Sequence, residues 1–481
     1  MAGNLRYSIV LHSTSSSAKA LPRERVANGA HAGRPYGDCA IFIALPTLLN
    51  MTAVPDLHVS RTLISVFFLG MLLKNTFVYS AISKNWQHQV SRSFGDVFNG
   101  RNKSFILLLT LILLFTGSEV RGGYEGTVSA ISYAGFFLWS TTILFYLASV
   151  AALNRNSVSR QWLWVSLVCG FGFYIAINII GYLAGLRGPV EIEDAGPNKI
   201  LSIVGVSALR VAFPFSGGLN NFGSMAALSI VSGFFLALYS RGAVRFLLGA
   251  AVALFGLVGA VLVDSRAALA LALLCCATLP AIVSKEKPAR SIKLLPVLAF
   301  AAPFLIFSTF VLIRDSGMAA YVMREGDFAQ RLGVLSGRDV IWGSALTVLG
   351  DPSPIHLIGY GAFGQFTSGA TQGYSWVFSQ FGGMSQHSLH NANLQIVLDM
   401  GYMGLLCWMA FWMLLARDLY EEYLFKNKSI ESVIPISLAT FVMLAGVLEI
   451  CGTPAFPDIF VIVMLLVVFL LPTLRIKVPV E

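Results

Sequence analysis

The sequence predicts an all-α polytopic membrane protein of about twelve transmembrane helices, with one large periplasmic loop between the ninth and tenth. Composition is the first reason. Hydrophobic residues make up 56% of the chain and charged residues only 12%, roughly half the charged share of a soluble domain. Mean hydropathy is +0.73, more apolar surface than one water-soluble core could hide, so a bilayer must solvate most of the chain. The third observation is where the charge sits. The formal net charge is +9, but the basic residues stand in short loops between apolar runs, which marks topology rather than a nucleic-acid surface.

Runs able to cross about 30 Å of hydrocarbon as helices lie at Cys39–Val54, Arg61–Ile82, Ser104–Val120, Val128–Leu153, Trp162–Leu186 and Asn221–Ser240. The second half adds Val244–Val263, Ser265–Val283, Ile292–Ile313, Ala392–Ala416, Val433–Ile450 and Asp458–Pro472. An even count puts both termini on one side. With the termini cytoplasmic, the inner segments hold about twenty-two Lys and Arg and the outer ones about ten. Lys84, Arg92, Arg101 and Lys103 share one inner loop; Lys285, Lys287, Arg290 and Lys293 share another. The polar stretch Met1 to Asp38 is too long for the n-region of a cleavable signal and reads as a cytoplasmic tail. All six cysteines lie in or beside apolar runs, so no disulfide framework is expected. The chain divides into that tail (1–38), N-terminal transmembrane helices (39–200), a core (201–416) containing loop 314–390, and C-terminal helices (417–481).

Chemistry outside the membrane must come from two longer outer segments, about Arg187–Asn220 and Arg314–His390. In the second, Ser336-Gly337-Arg338-Asp339 has the spacing of a capping box before an apolar run, predicting a helix from about Arg338 to Leu349. Arg338 would then sit in the first turn, where free N–H groups and the dipole favour an anion and a guanidinium fork suits phosphate. Arg324, Arg331 and Arg338 recur at a constant spacing and would share a face of one straight helix. Gly333 and Gly337 interrupt that continuity, so a solvated basic face is the other reading of Arg324 and Arg331. Gly359-Tyr360-Gly361-Ala362-Phe363-Gly364 follows no strand; it reads as a tight loop passing close to another segment, not a dinucleotide fingerprint.

His387-Ser388-Leu389-His390-Asn391 ends the loop and opens the next span. A metal site would need a third ligand, such as the distant His356 or Asp399. The preferred reading is a catalytic imidazole at a helix N-terminus, which in its neutral form can take a proton from a hydroxyl; an interfacial structural histidine is the alternative. Arg266 lies where two spans meet on the outer side, at the height of a lipid phosphate, where a snorkelling arginine is also common. Arg210 and Asn221 are weaker candidates of the same kind. Glu449, near the outer end of the eleventh span, could pair with one of these arginines and receives no role.

In this order the motifs resemble the O-antigen ligase and polymerase family of bacterial membrane glycosyltransferases. Four features carry the resemblance. They are Arg210…Gly217-Gly218…Asn220-Asn221, then Asp264-Ser265-Arg266-Ala267, then Ser336-Gly337-Arg338-Asp339-Val340-Ile341-Trp342 with Gly359-Tyr360-Gly361, and finally His390-Asn391 with Gly401-Tyr402-Met403-Gly404. The match runs from Leu201 to Trp412. It implies a GT-C-like helical fold in the bacterial inner membrane, with a periplasmic active site, no cofactor, no nucleotide-sugar site and no required metal. It further implies an undecaprenyl-pyrophosphate-linked glycan donor, an acceptor that is another glycan or the lipid A core, and surrounding membrane lipid. A chain-length regulator is a further partner; nucleic acid is not. By similarity Arg266 and Arg338 hold the pyrophosphate and His390 activates the acceptor, with inversion at the anomeric carbon. Arg210, Asn221, Arg324, Arg331, His387 and Asn391 are further substrate-binding candidates. Ligase and polymerase differ in the acceptor; polymerisation of O-antigen, capsule or exopolysaccharide is preferred because the Arg314–His390 loop is long and aromatic. A polysaccharide transporter or flippase is the alternative of another class, but such proteins usually show internal repeats and mid-membrane charges. Here Lys74 and Asp399 are the mid-depth ionisable residues, and the charge concentrates on the outer face.

Overall fold

A backbone in hydrocarbon must satisfy its own N–H and C=O groups, which a helix does within one segment. The computed structural model describes residues 36–51, 66–75, 103–121, 141–150, 157–188, 197–284, 294–302, 305, 337–377, 388–426, 429–454 and 459–470. Among these there is no strand, only an isolated bridge between Pro197 and Leu209. The main helices are α1 (Tyr36–Met51), α2 (Lys103–Arg121), α3 (Ser157–Leu183), α4 (Leu219–Tyr239) and α5 (Ala243–Val263). They continue with α6 (Arg266–Ser284), α7 (Arg338–Gly350), α8 (Ala392–Lys426), α9 (Ile430–Ala445) and α10 (Ile459–Leu470). Shorter stretches lie at Val66–Asn75, Thr141–Val150 and 294–302. Among the described residues five helices are long and apolar enough, by length and composition, to cross a membrane: Val158–Leu183, Leu219–Tyr239, Ala243–Val263, Arg266–Val283 and Ala392–Tyr420. The chain is an all-helical membrane protein.

The interior is organised around α9, which packs against α3, α4, α6, α8 and α10. It is mostly apolar and buried from Ile430 to Met443, its Glu431 included, as a helix surrounded by others must be. All of α10 is buried as well. The α4–α5 hairpin closes through small residues: a Cβ on Gly233 would lie 2.7 Å from the Gly249 carbonyl oxygen, and one on Gly249 equally close to that of Gly233. Without a hydrophobic drive between helices in lipid, such close backbone approach supplies the packing. At the opposite end of α9 from the candidate site, Arg160 lies 3.7 Å from Glu431 and donates from Nη1 to the Leu470 carbonyl at 3.2 Å. One guanidinium thus joins the start of α3, the start of α9 and the end of α10.

The run Ala392–Ala416 reads as one straight span, and here the structure corrects the sequence. Gly401 sits at φ 71, ψ −172 and breaks α8. Trp408 Nε1 donates to Asn393 Oδ1 at 3.1 Å, although a straight helix would hold residues so spaced about 22 Å apart. The two arms therefore fold toward each other. The break frees the Leu398 and Asp399 carbonyls, which accept instead from the N–H groups of Tyr360 (2.7 Å) and Gly361 (3.0 Å). Gly359 and Gly401 meet backbone to backbone, a Cβ on the first falling 2.4 Å from the amide nitrogen of the second. The glycine loop 359–364 is plugged into the broken helix, as a tight loop approaching another segment. Asp399 caps this plug, accepting from Gly364 N (2.8 Å) and Gln395 Nε2 (2.9 Å).

Candidate active site

Arg338 begins α7 as the sequence predicts. The cap differs from expectation: Gly337, at φ 84, is the N-cap and no side chain caps the helix. A left-handed residue before a helix favours glycine, whose missing Cβ removes the steric cost. Ile341, Trp342 and Ala345 bury one face of α7 against Ala370, Tyr374, Val377, Leu389 and Leu398, forming a second apolar core outside the main one. Trp342 Nε1 donates to the Leu389 carbonyl at 2.9 Å, which ties α7 to the residue preceding His390.

His390 takes a left-handed backbone, φ 49, just before Asn391. The Asn391 side chain caps α8, its Oδ1 accepting from Leu394 N at 3.0 Å while its Nδ2 donates to the Val447 carbonyl at 3.0 Å. Ala392 N donates to the Gly446 carbonyl at 2.7 Å. These bonds fasten the turn after α9 against the start of α8, and that turn presents Glu449.

Glu449 joins the site. Its Oε1 accepts from Arg338 Nη2, and its Oε2 accepts from His390 Nδ1 at 2.8 Å. Arg338 Nε also donates to the Leu448 carbonyl at 3.1 Å. The three side chains are partly open, with 17% of Arg338, 16% of Glu449 and 20% of His390 exposed. Burial pushes the Glu449 carboxyl up, but the His390 and Arg338 charges and their hydrogen bonds prevail and hold it below the ordinary glutamate value. A carboxylate on Nδ1 selects the Nδ1–H tautomer of a neutral imidazole, in which Nε2 carries the lone pair.

A second arrangement forms at the α5–α6 junction. Asp264 ends α5 at φ 57, and its Oδ2 lies 3.8 Å from Arg266 Nε while Oδ1 accepts from Ile200 N at 3.2 Å. Arg210 is buried and donates from Nε to the Val263 carbonyl at 2.8 Å. Arg266, with 29% of its side chain exposed, is the more open of the two arginines. Asn221 stands in the first turn of α4, its Oδ1 buried without a hydrogen-bond partner among the described residues. Thus Arg338 and His390 meet through Glu449, and Arg266 and Arg210 gather at the end of α5. Arg324, Arg331 and His387 lie outside the described residues. Glu449 is the functional candidate that sequence left without a role; its position at the end of an apolar run was the only signal. Beside the site, Phe300, Ala392, Asn393, Trp408, Trp412 and Gly446 line a narrow, mostly apolar cleft.

No curated protein matches the chain. Residues 251–409 match the family model described as O-antigen ligase, a segment running from α5 through the Gly401 break and containing Arg266, Arg338 and His390. The match spans a third of the chain and supports its assignment to the O-antigen ligase and polymerase family of membrane proteins that process glycans.

Proposed function

We propose that this protein transfers an oligosaccharide from an undecaprenyl-pyrophosphate carrier to a hydroxyl acceptor on the periplasmic face of the bacterial inner membrane, with both termini cytoplasmic. The Arg338–Glu449–His390 arrangement carries the proposal. The acceptor hydroxyl attacks the anomeric carbon as its bond to the pyrophosphate oxygen breaks, and attack opposite the leaving group inverts that carbon. His390 Nε2 takes the hydroxyl proton. Glu449 acts through His390 as a positioning residue, holding the tautomer that leaves Nε2 basic. Negative charge grows on the departing pyrophosphate. Arg338 uses two of its donors on Leu448 and Glu449, and its remaining N–H groups can face that charge together with Arg266. The two arginines thereby do what a divalent cation does elsewhere.

The acceptor distinguishes two readings. The long aromatic loop favours polymerisation onto another lipid-linked glycan, whereas the matching family's description favours ligation to a lipid A core or protein. The test is a deletion strain complemented at matched expression with wild type, His390→Ala, Arg338→Ala or Arg266→Ala, with glycans resolved by length. Single repeat units accumulating in the variants identify a polymerase. Long chains left on the carrier identify a ligase. Normal glycan in all three variants overturns the catalytic assignment and favours a transporter.

A further inference from the structure

The turn Ile355-His356-Leu357-Ile358 is built inside out. His356 is 3% exposed, with Nε2 2.9 Å from the Tyr360 hydroxyl, whereas Ile355, Leu357 and Ile358 are 39%, 56% and 56% exposed. In water the reverse would be expected, since a buried polar group beside exposed large aliphatics is the informative exception to ordinary burial. The segment cannot roll over freely to hide them, because the Gly359–Gly401 contact and the plug in α8 hold its C-terminal side.

The surroundings are apolar too. Tyr402, Leu406, Met409 and Met413, on one face of the lower arm of α8, are 41%, 61%, 37% and 45% exposed. The backbones of Leu357 and Ile358 touch Gly401 at the head of that stripe. On the other side Ala362 N donates to the Ser118 carbonyl, in the last turns of α2, whose Leu113 and Leu114 are likewise exposed. The turn therefore continues the exposed apolar surface of two apolar helices.

The backbone fits the same surroundings. Irregular chain is tolerated in hydrocarbon only where protein satisfies its polar groups. Every N–H from Ile358 to Ala362 donates to protein: two to Ile355 O, then one each to Leu398, Asp399 and Ser118 carbonyls. Five consecutive non-helical amides need no water.

We propose that the 354–363 turn of the large outer loop is wedged into the adjoining bilayer leaflet, with lipid acyl chains covering Ile355, Leu357, Ile358 and the exposed Phe363. The inference rests on α2 and α8 being embedded in a bilayer and not on the reaction proposed above. It is tested in the full chain carrying the fluorescent residue dansylalanine at Leu357, and separately at Ile358, in phosphatidylcholine–phosphatidylglycerol vesicles. Lipids brominated along their acyl chains should quench either position several-fold more than aqueous iodide, with the opposite ratio at the exposed Gln372. Stronger quenching by iodide at 357 and 358 would show a water-borne loop and overturn the proposal. Quenching by neither would show a protein cover, such as a second copy of the chain, and would overturn it equally.

Discussion

Glu449 holds Arg338 and His390 with one carboxylate, and each of its bonds supports a different part of the proposed chemistry. Replacing it with Gln keeps the size but removes the charge that selects the His390 tautomer. A hydrogen bond to a charged group contributes about 1.5–3 kcal/mol, or roughly 10–150-fold in rate. Glu449→Gln should lower glycan output by about that factor, with normal membrane insertion and partial recovery in Glu449→Asp. Output equal to wild type would remove the positioning role. The same group sets an acid limit. Its folded-state titration lies below the ordinary value of 4.5, so its stabilisation is full above that value and is lost as pH falls through the lower, folded one. Thermal unfolding in detergent between about pH 3 and 7 should show an acid limb in wild type that is shallower in Glu449→Gln. The sequence places Glu449 at the end of an apolar run, but its partners are 59 and 111 positions away, and no local pattern names them.

At the level of elements, the Gly401 break turns α8 from a plain span into a socket for the glycine loop. A non-glycine residue at φ 71, ψ −172, a conformation occupied essentially by glycine, costs about 1–3 kcal/mol. The added Cβ would also fall 2.4 Å from the Leu357 carbonyl carbon, a backbone atom that cannot swing aside. Gly401→Ala should therefore lower the unfolding temperature and abolish glycan output together, while Gly350→Ala, which meets nothing within 4 Å, should leave both unchanged. Equal effects of the two substitutions would show that the socket is dispensable. The five long apolar helices among the described residues were legible because apolar length is a local property. Gly359 and Gly364 read correctly as a tight loop, but its receptor did not, because glycine inside a helical pattern is ordinarily tolerated.

Across the whole molecule, α9 links the two ends of the helical assembly, with Glu431 at its start and Glu449 just beyond its end. The Arg160–Glu431 pair has side chains only 3% and 1% exposed, so removing one partner strands a buried charge. Arg160→Ala should destabilise the purified protein by about 3–5 kcal/mol, and Arg160→Met with Glu431→Leu should recover much of it. If the single change leaves the unfolding temperature unmoved, the clamp contributes nothing. The all-helical, membrane-spanning character was determined by the sequence alone: hydropathy and run length are sums over neighbouring residues, and they specify apolar helices without knowledge of contacts. Motif order likewise pointed to the family. Only the tertiary structure decided that Glu449 joins Arg338 to His390, that α8 folds back at Gly401, and that the glycine loop fills the break. Those outcomes depend on which distant segments pack side by side, and packing is a property of the assembled chain that no stretch of sequence holds by itself.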